Sequence, residues 1–417
     1  MKHVSIFLLL LSAAFLPTVV FAQWSKLTSG TTQNLHDVTF LNANYGVAVG
    51  DTGTVLLTIN GGASWQPRNI STKSNLQSVE IIGVDTILVA AGSYFEGEVY
   101  RTTNGGATWQ LVAEGVDLAR TGNDYFALNS ENILRSKNKG ATWDSTGIEI
   151  GSTTLLERLH FPSKVGYAIG NVSGFASYST IGYRTDDAGQ TWTGLFSLDF
   201  PNANAYSAAA FPDADTGLIF TNVQERFLPG RLNQLTKIYA FYFDESQTQQ
   251  WRFDSEVVND SLPAYINDAY FFDGLNGYAL GANGIVYKTT DGGVTFTANY
   301  TGTQPLEAIF MLNRSIGYAV GEKGTILKLN LINSTDEPIP TFALQFYPNP
   351  TTGEIRLDGL ETSDAILTIF NPMGQILQQK TLNGAQIVNL NNLANGWYLV
   401  QVRSEGKLYN GKVIVQK

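Results

Sequence analysis

The feature that most constrains the fold is a six-residue phrase that recurs along the chain. Five clear copies occupy residues 60–65, 104–109, 138–143, 187–192 and 291–296. Each copy opens with Asn or Asp, has Gly at its centre and closes with an aromatic residue. The opening and closing residues are Asn60, Trp65, Asn104, Trp109, Asn138, Trp143, Asp187, Trp192, Asp291 and Phe296. A phrase that returns at the same place in a longer unit indicates a repeat architecture.

The unit around the phrase consists of short strands separated by turns. An apolar strand ending in Phe40 opens one unit, and a strand with the pattern Gly-aromatic-Ala-aliphatic-Gly, as in residues 317–321, follows such an opening strand. A third strand runs into the phrase, and the residues after it form a fourth strand. The pattern lacks helical periodicity, and it predicts an all-β chain that forms a β-propeller with one unit per blade.

The number of units predicts a seven-bladed propeller. The last unit stops near Leu329 without a phrase or an outer strand, and the strand around Trp24 supplies the missing piece at the other end. Sharing a blade in this way closes the ring and removes open sheet edges. The fifth unit is longer: its fourth strand is predicted to end near Trp251, and its insertion, residues 221–250, is either a binding loop or a blade extension. The units begin near His36, Leu76, Val116, Leu156, Tyr206, Ile266 and Leu306.

The phrase itself has a structural interpretation. Asn or Asp accepts backbone N–H groups in a turn, Gly supplies positive φ, and the aromatic residue packs the turn between strands. A catalytic or calcium-binding loop is the alternative. It would require every copy to be a site, although Asn60, Asn104 and Asn138 replace the carboxylate in three of them. The phrase therefore predicts the fold rather than an activity.

The phrase resembles the Asp-box of BNR repeats, which occurs in sialidases, sortilin-type receptors and xyloglucan hydrolases. The longer unit resembles the photosystem II assembly factor family of Ycf48-like propellers. That resemblance rests on Gly-Tyr-Ala-Val-Gly at residues 317–321, Gly-Thr-Ile-Leu at 324–327 and Thr-Thr-Asp-Gly-Gly at 289–293. It covers roughly residues 24–332 and implies a propeller fold without implying an activity.

The two ends of the chain differ from the repeats. Residues 1–22 have a basic start, a short apolar run broken by Pro17 and small residues before a cut after Ala22, which predicts a secretory signal peptide. The propeller is assigned to residues 23–332. A polar, Pro-containing stretch, residues 333–343, is interpreted as a linker, and residues 344–417 form a separate small β-sandwich, predicted to be immunoglobulin-like.

The C-terminal module resembles the sorting domain of type IX secretion cargo in Bacteroidota. The matching residues are 347–350, 371–374, 396–400 and 412–417. The resemblance implies passage through the Por secretion system, with the secretion machinery as a partner and a final location that is secreted or at the outer-membrane surface. Whether the cargo is anchored or released stays open, and an ordinary immunoglobulin-like binding module is the alternative.

Composition excludes several classes of function. The 417 residues carry a formal charge of −10, contain no Cys and include only three His. The acidic balance disfavours nucleic-acid binding, which needs a basic surface. The absence of Cys rules out disulfides and thiolate metal sites. We expect no metal, no cofactor and no transmembrane segment after signal cleavage.

Candidate site residues come from the positions that open the inner strands, because these positions converge around the axis of a propeller. They are predicted to form a ligand funnel at one face, and hydrated channel lining is the alternative. In the long unit, Phe227, Tyr239, Tyr242 and Trp251 form either a binding edge or blade core. The funnel residues are His36, Asp37, Gln77, Ser78, Glu157, Arg158, Asn267, Asp268 and Glu307.

The function predicted from these observations is a secreted or cell-surface, non-enzymatic propeller that binds a protein or a glycan. No Gly-x-Ser-x-Gly element, zinc-spaced His pair or sialidase-type arginine cluster is present in the sequence. The alternative is a secreted glycan-degrading hydrolase that uses paired carboxylates of the funnel. An assembly factor for another exported protein is a third possibility.

Overall fold

The structure is a computed structural model, and its regular elements are almost entirely β-strands. The only helical elements in the described part of the chain are three 3-10 turns, Asp51–Gly53, Ala282–Gly284 and Glu322–Gly324. The all-β prediction is therefore confirmed. The predicted signal peptide, residues 1–22, lies outside the described residues, as does most of the predicted linker. The structure describes residues 23–93, 96–129, 132–148, 150, 154–173, 178–199, 206–214, 216–228, 231–244, 250–330, 341–343, 345–358, 364–370, 376–383, 387–404 and 407–417.

Seven four-stranded antiparallel sheets follow one another along the described residues, and we number them blades I to VII in chain order. The first strand, β1 (Gln23–Leu27), belongs to blade VII. Blades I to III consist of β2 (Leu35–Phe40), β3 (Gly46–Gly50), β4 (Thr54–Thr58), β5 (Gln66–Arg68), β6 (Leu76–Ile81), β7 (Ile87–Ala91), β8 (Glu98–Thr102), β9 (Gln110–Ala113), β10 (Asp117–Thr121), β11 (Asp124–Leu128), β12 (Ile133–Ser136) and β13 (Asp144–Ser145).

The remaining blades repeat this order, with the first strand of each unit innermost. Blade VII has three strands from the C-terminal end of the repeats and takes β1 as its fourth. Blades IV to VII consist of β14 (Thr154–His160), β15 (Gly166–Ser173), β16 (Tyr178–Thr185), β17 (Thr193–Asp199), β18 (Tyr206–Ala210), β19 (Thr216–Leu228), β20 (Arg231–Asp244), β21 (Gln250–Leu262), β22 (Ile266–Phe271), β23 (Gly277–Gly281), β24 (Ile285–Thr289), β25 (Thr297–Thr301), β26 (Leu306–Asn313), β27 (Ile316–Gly321) and β28 (Thr325–Asn330).

Blade VII joins the two ends of the repeat region. β1 pairs antiparallel with β28, and Trp24 lies opposite Leu329 in the ladder. Trp24 is only 2% exposed, and its ring meets the edge of Tyr278 in blade VI at a centroid distance of 5.8 Å. Since the outer strand of blade VII comes from the start of the repeat region, unfolding either end exposes the same hydrophobic interface.

The core of the propeller lies between neighbouring blades. Each of the seven adjacent pairs, including VII with I, shares its own cluster of buried hydrophobic residues. Between blades VII and I, for example, Phe40 stacks on Tyr318 with ring centroids 3.7 Å apart. The blades thus bury both of their faces, which explains why the middle strands are apolar throughout instead of alternating.

The recurring glycines at the ends of the second strand have steric causes. A Cβ at Gly46 would lie 2.4 Å from the ring of Phe40, which explains the pairing of Phe with Gly in the repeats. A Cβ at Gly50 would lie 1.9 Å from the carbonyl oxygen of Asn34. The first contact lets an aromatic ring lie across the sheet, and the second lets the chain enter the inner strand.

Blade V departs from its neighbours by extension. β19 and β20 pair from Thr216–Tyr242 out to Leu228–Arg231, so the described part of residues 221–250 extends the blade as a long hairpin. The prediction that the fourth strand of this unit ends near Trp251 is wrong. That strand, β21, begins at Gln250 and continues to Leu262, because β20 is long enough to pair with it from Asp244 back to Thr236.

The C-terminal module has two sheets around its own core. The five-stranded sheet has the order β29-β36-β35-β32-β33, the three-stranded sheet has the order β30-β31-β34, and Phe346, Leu367 and Val400 belong to the cluster buried between them. An immunoglobulin-like topology and the domain limits 23–332, 333–343 and 344–417 stay predictions. The strands are β29 (Thr341–Ala343), β30 (Gln345–Tyr347), β31 (Glu354–Asp358), β32 (Asp364–Phe370), β33 (Ile376–Asn383), β34 (Ile387–Asn389), β35 (Gly396–Ser404) and β36 (Lys407–Val415).

Candidate functional site

The inner strands of all seven blades line one axial cavity of about 220 Å³. Eight of the nine predicted funnel residues lie in its lining, and Glu157 does not. We call this space the axial cavity throughout. The funnel residues in its lining are His36, Asp37, Gln77, Ser78, Arg158, Asn267, Asp268 and Glu307.

Two axial aspartates, Asp37 and Asp268, each connect their own blade to the next one. The carboxylate of Asp37 in blade I accepts the N–H of Val38 at 2.7 Å and the N–H of Val79 in blade II at 2.8 Å. Asp268 in blade VI accepts the N–H of Ala269 at 2.8 Å and that of Ile309 in blade VII at 2.8 Å. Each carboxylate therefore satisfies a backbone donor on the neighbouring inner strand, and we call this arrangement an inter-blade clasp.

The same clasp recurs between blades II, III and IV. The hydroxyl of Ser78 accepts the N–H of Leu118 at 3.2 Å, and Asp117 accepts the N–H of Leu159 at 2.7 Å. At the equivalent position of blade IV stands Arg158, whose guanidinium lies 3.9 Å from the Asp117 carboxylate. The axial side chains thus connect neighbouring blades as well as lining the cavity.

Burial controls the ionisation of these carboxyls. Dehydration raises the pKa of Asp37 to about 7 and that of Asp268 to about 6, although backbone hydrogen bonds and the Arg158 charge pull both values down. The pKa of Asp117 is raised by burial as well, against the opposing effect of Arg158. Glu80, beside the cavity, has its pKa raised to about 8 by burial, despite Arg120 at 3.6 Å. Near neutral pH the axis therefore holds a mixture of charged and neutral carboxyls.

The rim of the cavity carries a second polar layer. The ring of His36 lies 2.7 Å from the carboxylate of Asp51 in the adjoining 3-10 turn, and Asn34 donates to the same carboxylate at 2.9 Å. Glu307 is half-buried, and burial raises its pKa while the charge of His36 lowers it. Glu157 is absent from the cavity lining and accepts a 2.8 Å hydrogen bond from Asn171 in the next strand.

Sequence reasoning missed several lining residues. Asp117 occupies the clasp position of blade III, but β10 lacks the bulge seen near Leu35 and Asp37 in β2, so its alignment is displaced by one residue. His160 and Tyr270 lie farther along their inner strands than the predicted positions. A sequence signal for them exists only after the strand register is known.

Aromatic rings cover one side of the axial cavity. His160 stacks on Phe211 with centroids 5.2 Å apart, and Tyr167 stacks on the same ring at 3.9 Å. Burial lowers the pKa of His160 to about 4, so this imidazole is neutral at physiological pH. Blades IV and V supply these rings and contribute no carboxylate to the lining in the described structure.

The recurring phrases form closed turns at the other end of the blades. In the first copy, Thr58 donates to Asn60 at 2.9 Å and accepts the N–H of Gly62 at 2.9 Å, while Asn60 accepts the N–H of Ser64 at 3.0 Å. The other four copies repeat this network with Thr or Ser two residues before the Asn or Asp. The buried hydroxyl before the phrase is therefore part of the turn.

Neither a metal site nor a membrane-spanning helix is found among the described residues. Within the described residues, no group of three or more His, Cys, Asp and Glu side chains is arranged to hold a metal ion. No helix in the described part of the chain has the length and apolar character needed to cross a membrane. Of the long-unit aromatics, Tyr239 is half-buried, and the side chains of Phe227, Tyr242 and Trp251 lie outside the described ones.

Two stretches of the chain match family models. Residues 16–118 match the photosynthesis system II assembly factor YCF48, and residues 345–416 match the secretion system C-terminal sorting domain. Both predicted resemblances are confirmed. The C-terminal match assigns the chain to type IX secretion, so its destination is the cell surface or the medium.

Curated relatives extend the likeness across the propeller. The photosystem II assembly protein Ycf48 of Thermosynechococcus vestitus is 23% identical over 327 residues, which cover 66% of this chain and 87% of the relative. The photosystem II assembly lipoprotein Ycf48 of Prochlorococcus marinus is 24% identical over 356 residues, which cover 75% and 91%.

Solved structures show the same fold. YCF48 from Cyanidioschyzon merolae superposes with a TM-score of 0.56 at 20% identity, covering 75% of this chain and 100% of that one. A structure described as YCF48 bound to D1 peptide gives a TM-score of 0.55 at 20% identity, covering 75% and 99%. At this identity the likeness establishes the propeller fold and leaves the ligand open.

Proposed function

We propose that this chain is an exported, non-enzymatic β-propeller that binds a polypeptide of another molecule at the mouth of its axial cavity. The observation that carries the proposal is the convergence of polar inner-strand side chains from all seven blades on one cavity. Propellers of many functions bind ligands near this axis. The position of the cavity therefore indicates where a ligand binds, whereas the fold alone does not indicate the function.

The choice of a polypeptide draws on the relatives. One similar structure is described as bound to a peptide, and the curated relatives are described as assembly proteins. By analogy, the partner of this chain is another protein at the cell surface, which the sorting domain allows the propeller to meet. A glycan partner is the competing outcome of the experiment below.

The hydrogen bonds of the axial carboxylates favour binding over hydrolysis. A glycosidase needs one carboxyl to protonate the leaving oxygen and a second to act as base or nucleophile. A carboxyl with a pKa near 7 suits a general acid, yet both oxygens of Asp37 and both of Asp268 accept backbone N–H groups that connect adjacent blades. These groups are held in place by the fold and are poorly placed to move a proton to a substrate.

A blocking variant tests the proposal. Gln77→Trp adds bulk at the cavity lining, and Gln110→Trp adds the same bulk on an exposed outer strand as a matched control. Full-length chain is cross-linked to the surface of its native cells, and the captured molecules are identified by mass spectrometry and glycan staining. We expect one or a few proteins with wild type and with Gln110→Trp, and their loss with Gln77→Trp.

Three results would contradict the proposal. Capture that survives Gln77→Trp would place binding elsewhere on the molecule. Capture of glycan without protein would replace the polypeptide partner. Release of reducing ends from polysaccharides by the purified chain, abolished by Glu307→Gln, would establish the hydrolase alternative instead.

A further inference from the structure

We infer that the axial cavity accepts a basic side chain, a lysine or an arginine of the bound polypeptide. This inference rests on the proposed function and names the chemistry of the group that enters. It is carried by three features of the cavity: its volume, its aromatic side and the balance of charges around it.

The volume restricts what can enter. Pockets for drug-sized ligands enclose about 300–1,000 Å³, and the axial cavity encloses about 220 Å³. It therefore accommodates one extended side chain and excludes a sugar chain or a folded loop. A side chain entering along the axis leaves its backbone at the rim, near His36 and Glu307.

The walls have two kinds of chemistry. Blades IV and V supply the stacked rings of His160, Phe211 and Tyr167, and blade VI adds Tyr270. These rings stack on one another, and Tyr167 already has the Arg184 guanidinium 5.8 Å from its ring centroid, so what they offer a ligand is apolar contact for the methylene stem of Lys or Arg. The carboxyl groups of the lining come from blades I, III, VI and VII. A long side chain with an apolar stem and a cationic end satisfies both walls, whereas an acidic or purely apolar side chain satisfies at most one.

The charges of the lining favour a cation. Among the described residues, Arg158 is the one lining group with a permanent positive charge. The lining carboxyl groups outnumber it and are those of Asp37, Asp117, Asp268 and Glu307. Burial keeps His160 neutral. The ring of His36 contacts the carboxylate of Asp51, a residue that is not part of the lining. A bound cation would offset the remaining repulsion. Each aspartate oxygen that accepts one N–H keeps a second lone pair for the ligand.

Binding of this kind has a proton signature. Burial raises the pKa of Asp37 to about 7 and that of Asp268 to about 6, so part of each population is protonated near neutral pH. A cation bound beside them lowers both pKa values and releases protons. A neutral ligand of the same shape has no such effect.

The experiment compares matched peptides by titration calorimetry on the full chain. Acetylated Gly-Gly-X-Gly-Gly amides carry X as Arg or its neutral isostere citrulline, and as Lys or its neutral analogue norleucine. At low salt and pH 7, we expect at least one basic peptide to bind about tenfold more tightly than its neutral counterpart, the ratio for about 1.4 kcal/mol. Its measured heat should vary with buffer ionisation enthalpy because protons are released.

A variant pair connects the preference to the cavity. Glu307→Gln removes one lining charge without touching a clasp, and Glu114→Gln removes an exposed charge on another blade. We expect Glu307→Gln to weaken the basic peptide several-fold, with an unchanged melting temperature, and Glu114→Gln to match wild type. Equal affinity of basic and neutral peptides, or equal effects of the two variants, would overturn the inference.

The outcomes separate this inference from the proposed function. If partner capture is lost in Gln77→Trp but basic and neutral peptides bind equally, the inference of a bound basic side chain is rejected and the polypeptide-binding function is kept. A clear basic preference without any captured protein removes the polypeptide partner at the surface and leaves a cation-binding cavity.

Discussion

Asp187 and Asp37 carry the same side chain at opposite ends of their blades, and their pKa values move in opposite directions. Asp187 lies at an outer turn near the surface; burial raises its pKa, but the hydrogen bonds from Thr191, Thr185 and Gln190 together outweigh burial and lower it. Asp37 also accepts backbone hydrogen bonds, yet burial at the axis raises its pKa to about 7. The extent of burial therefore decides whether dehydration or hydrogen bonding sets the charge state of an aspartate here.

The largest expected effect is a dependence of stability on pH that comes from the axis. The unfolded pKa of Asp37 is near 3.8, and the folded pKa is about 7. Its stabilising contribution is thus fully present below pH 4 and is lost as the pH rises through about 7. We expect wild type to lose about 2–4 kcal/mol relative to Asp37→Asn between pH 4 and pH 8, since the carboxyl keeps some contact with cavity water.

Urea unfolding across this pH range measures the difference. Asp187→Asn serves as the opposite case, because its lowered pKa contributes stability above its unfolded pKa that is lost as the pH falls through the folded one. Parallel pH profiles for Asp37→Asn and wild type would show that axial burial does not control the charge.

The next effect compares a clasp with an outer turn at constant pH. Asp268→Ala leaves the N–H groups of Ala269 and Ile309 without their acceptor, and we expect a loss of about 2–3 kcal/mol at pH 5. Asp291→Ala breaks the turn bonds with Thr289 and Thr295 near the surface, where water replaces them, and we expect about 1 kcal/mol. Chemical denaturation of both variants decides the order, and an equal loss would mean that the clasp adds nothing beyond a turn.

The smallest effect concerns backbone strain in the outer turns. The second position of the phrase has positive φ in the structure: Gly61 has a φ of 66°, but Ala188 has 57° and Lys139 has 60°. Ala188→Gly should stabilise the chain by about 0.5–1 kcal/mol, because Gly adopts this conformation without steric cost. Gly61→Ala is the reverse control, and a melting temperature that rises in it would contradict this account.

The lining residues of the axial cavity could be predicted from the sequence only where the strand register is the same in every repeat. Equivalent positions of the repeats located Asp37 and Asp268 in its lining, because repeats place equal positions at equal depth. Asp117 was not predicted, because β10 lacks the bulge residue of the other inner strands and its positions are displaced by one in the alignment of the repeats. Glu157 was included because it occupies the same bulge position as His36, but in the structure it accepts a hydrogen bond from Asn171 and is absent from the lining.

The long blade shows the same limit at the level of the fold. The sequence predicted an enlarged fifth unit, and the structure gives it strands of 13 and 14 residues at β19 and β20. The end of its outer strand was misplaced because the extent of β21 depends on its pairing with β20, from Asp244–Gln250 to Thr236–Leu262, and not on a local pattern.

By itself, the sequence determined the repeat, its strands and turns and the sorting tail, because these depend on residues close together in the chain. It also determined that the two ends share a blade, because the last unit lacks the outer strand that the residues around Trp24 supply. Only the tertiary structure decided what the axial aspartates do. Asp37 meets Val79 across two blades, and its charge depends on how much water the converging strands exclude. Dehydration is a property of the assembled ring, so local sequence patterns do not encode it in readable form.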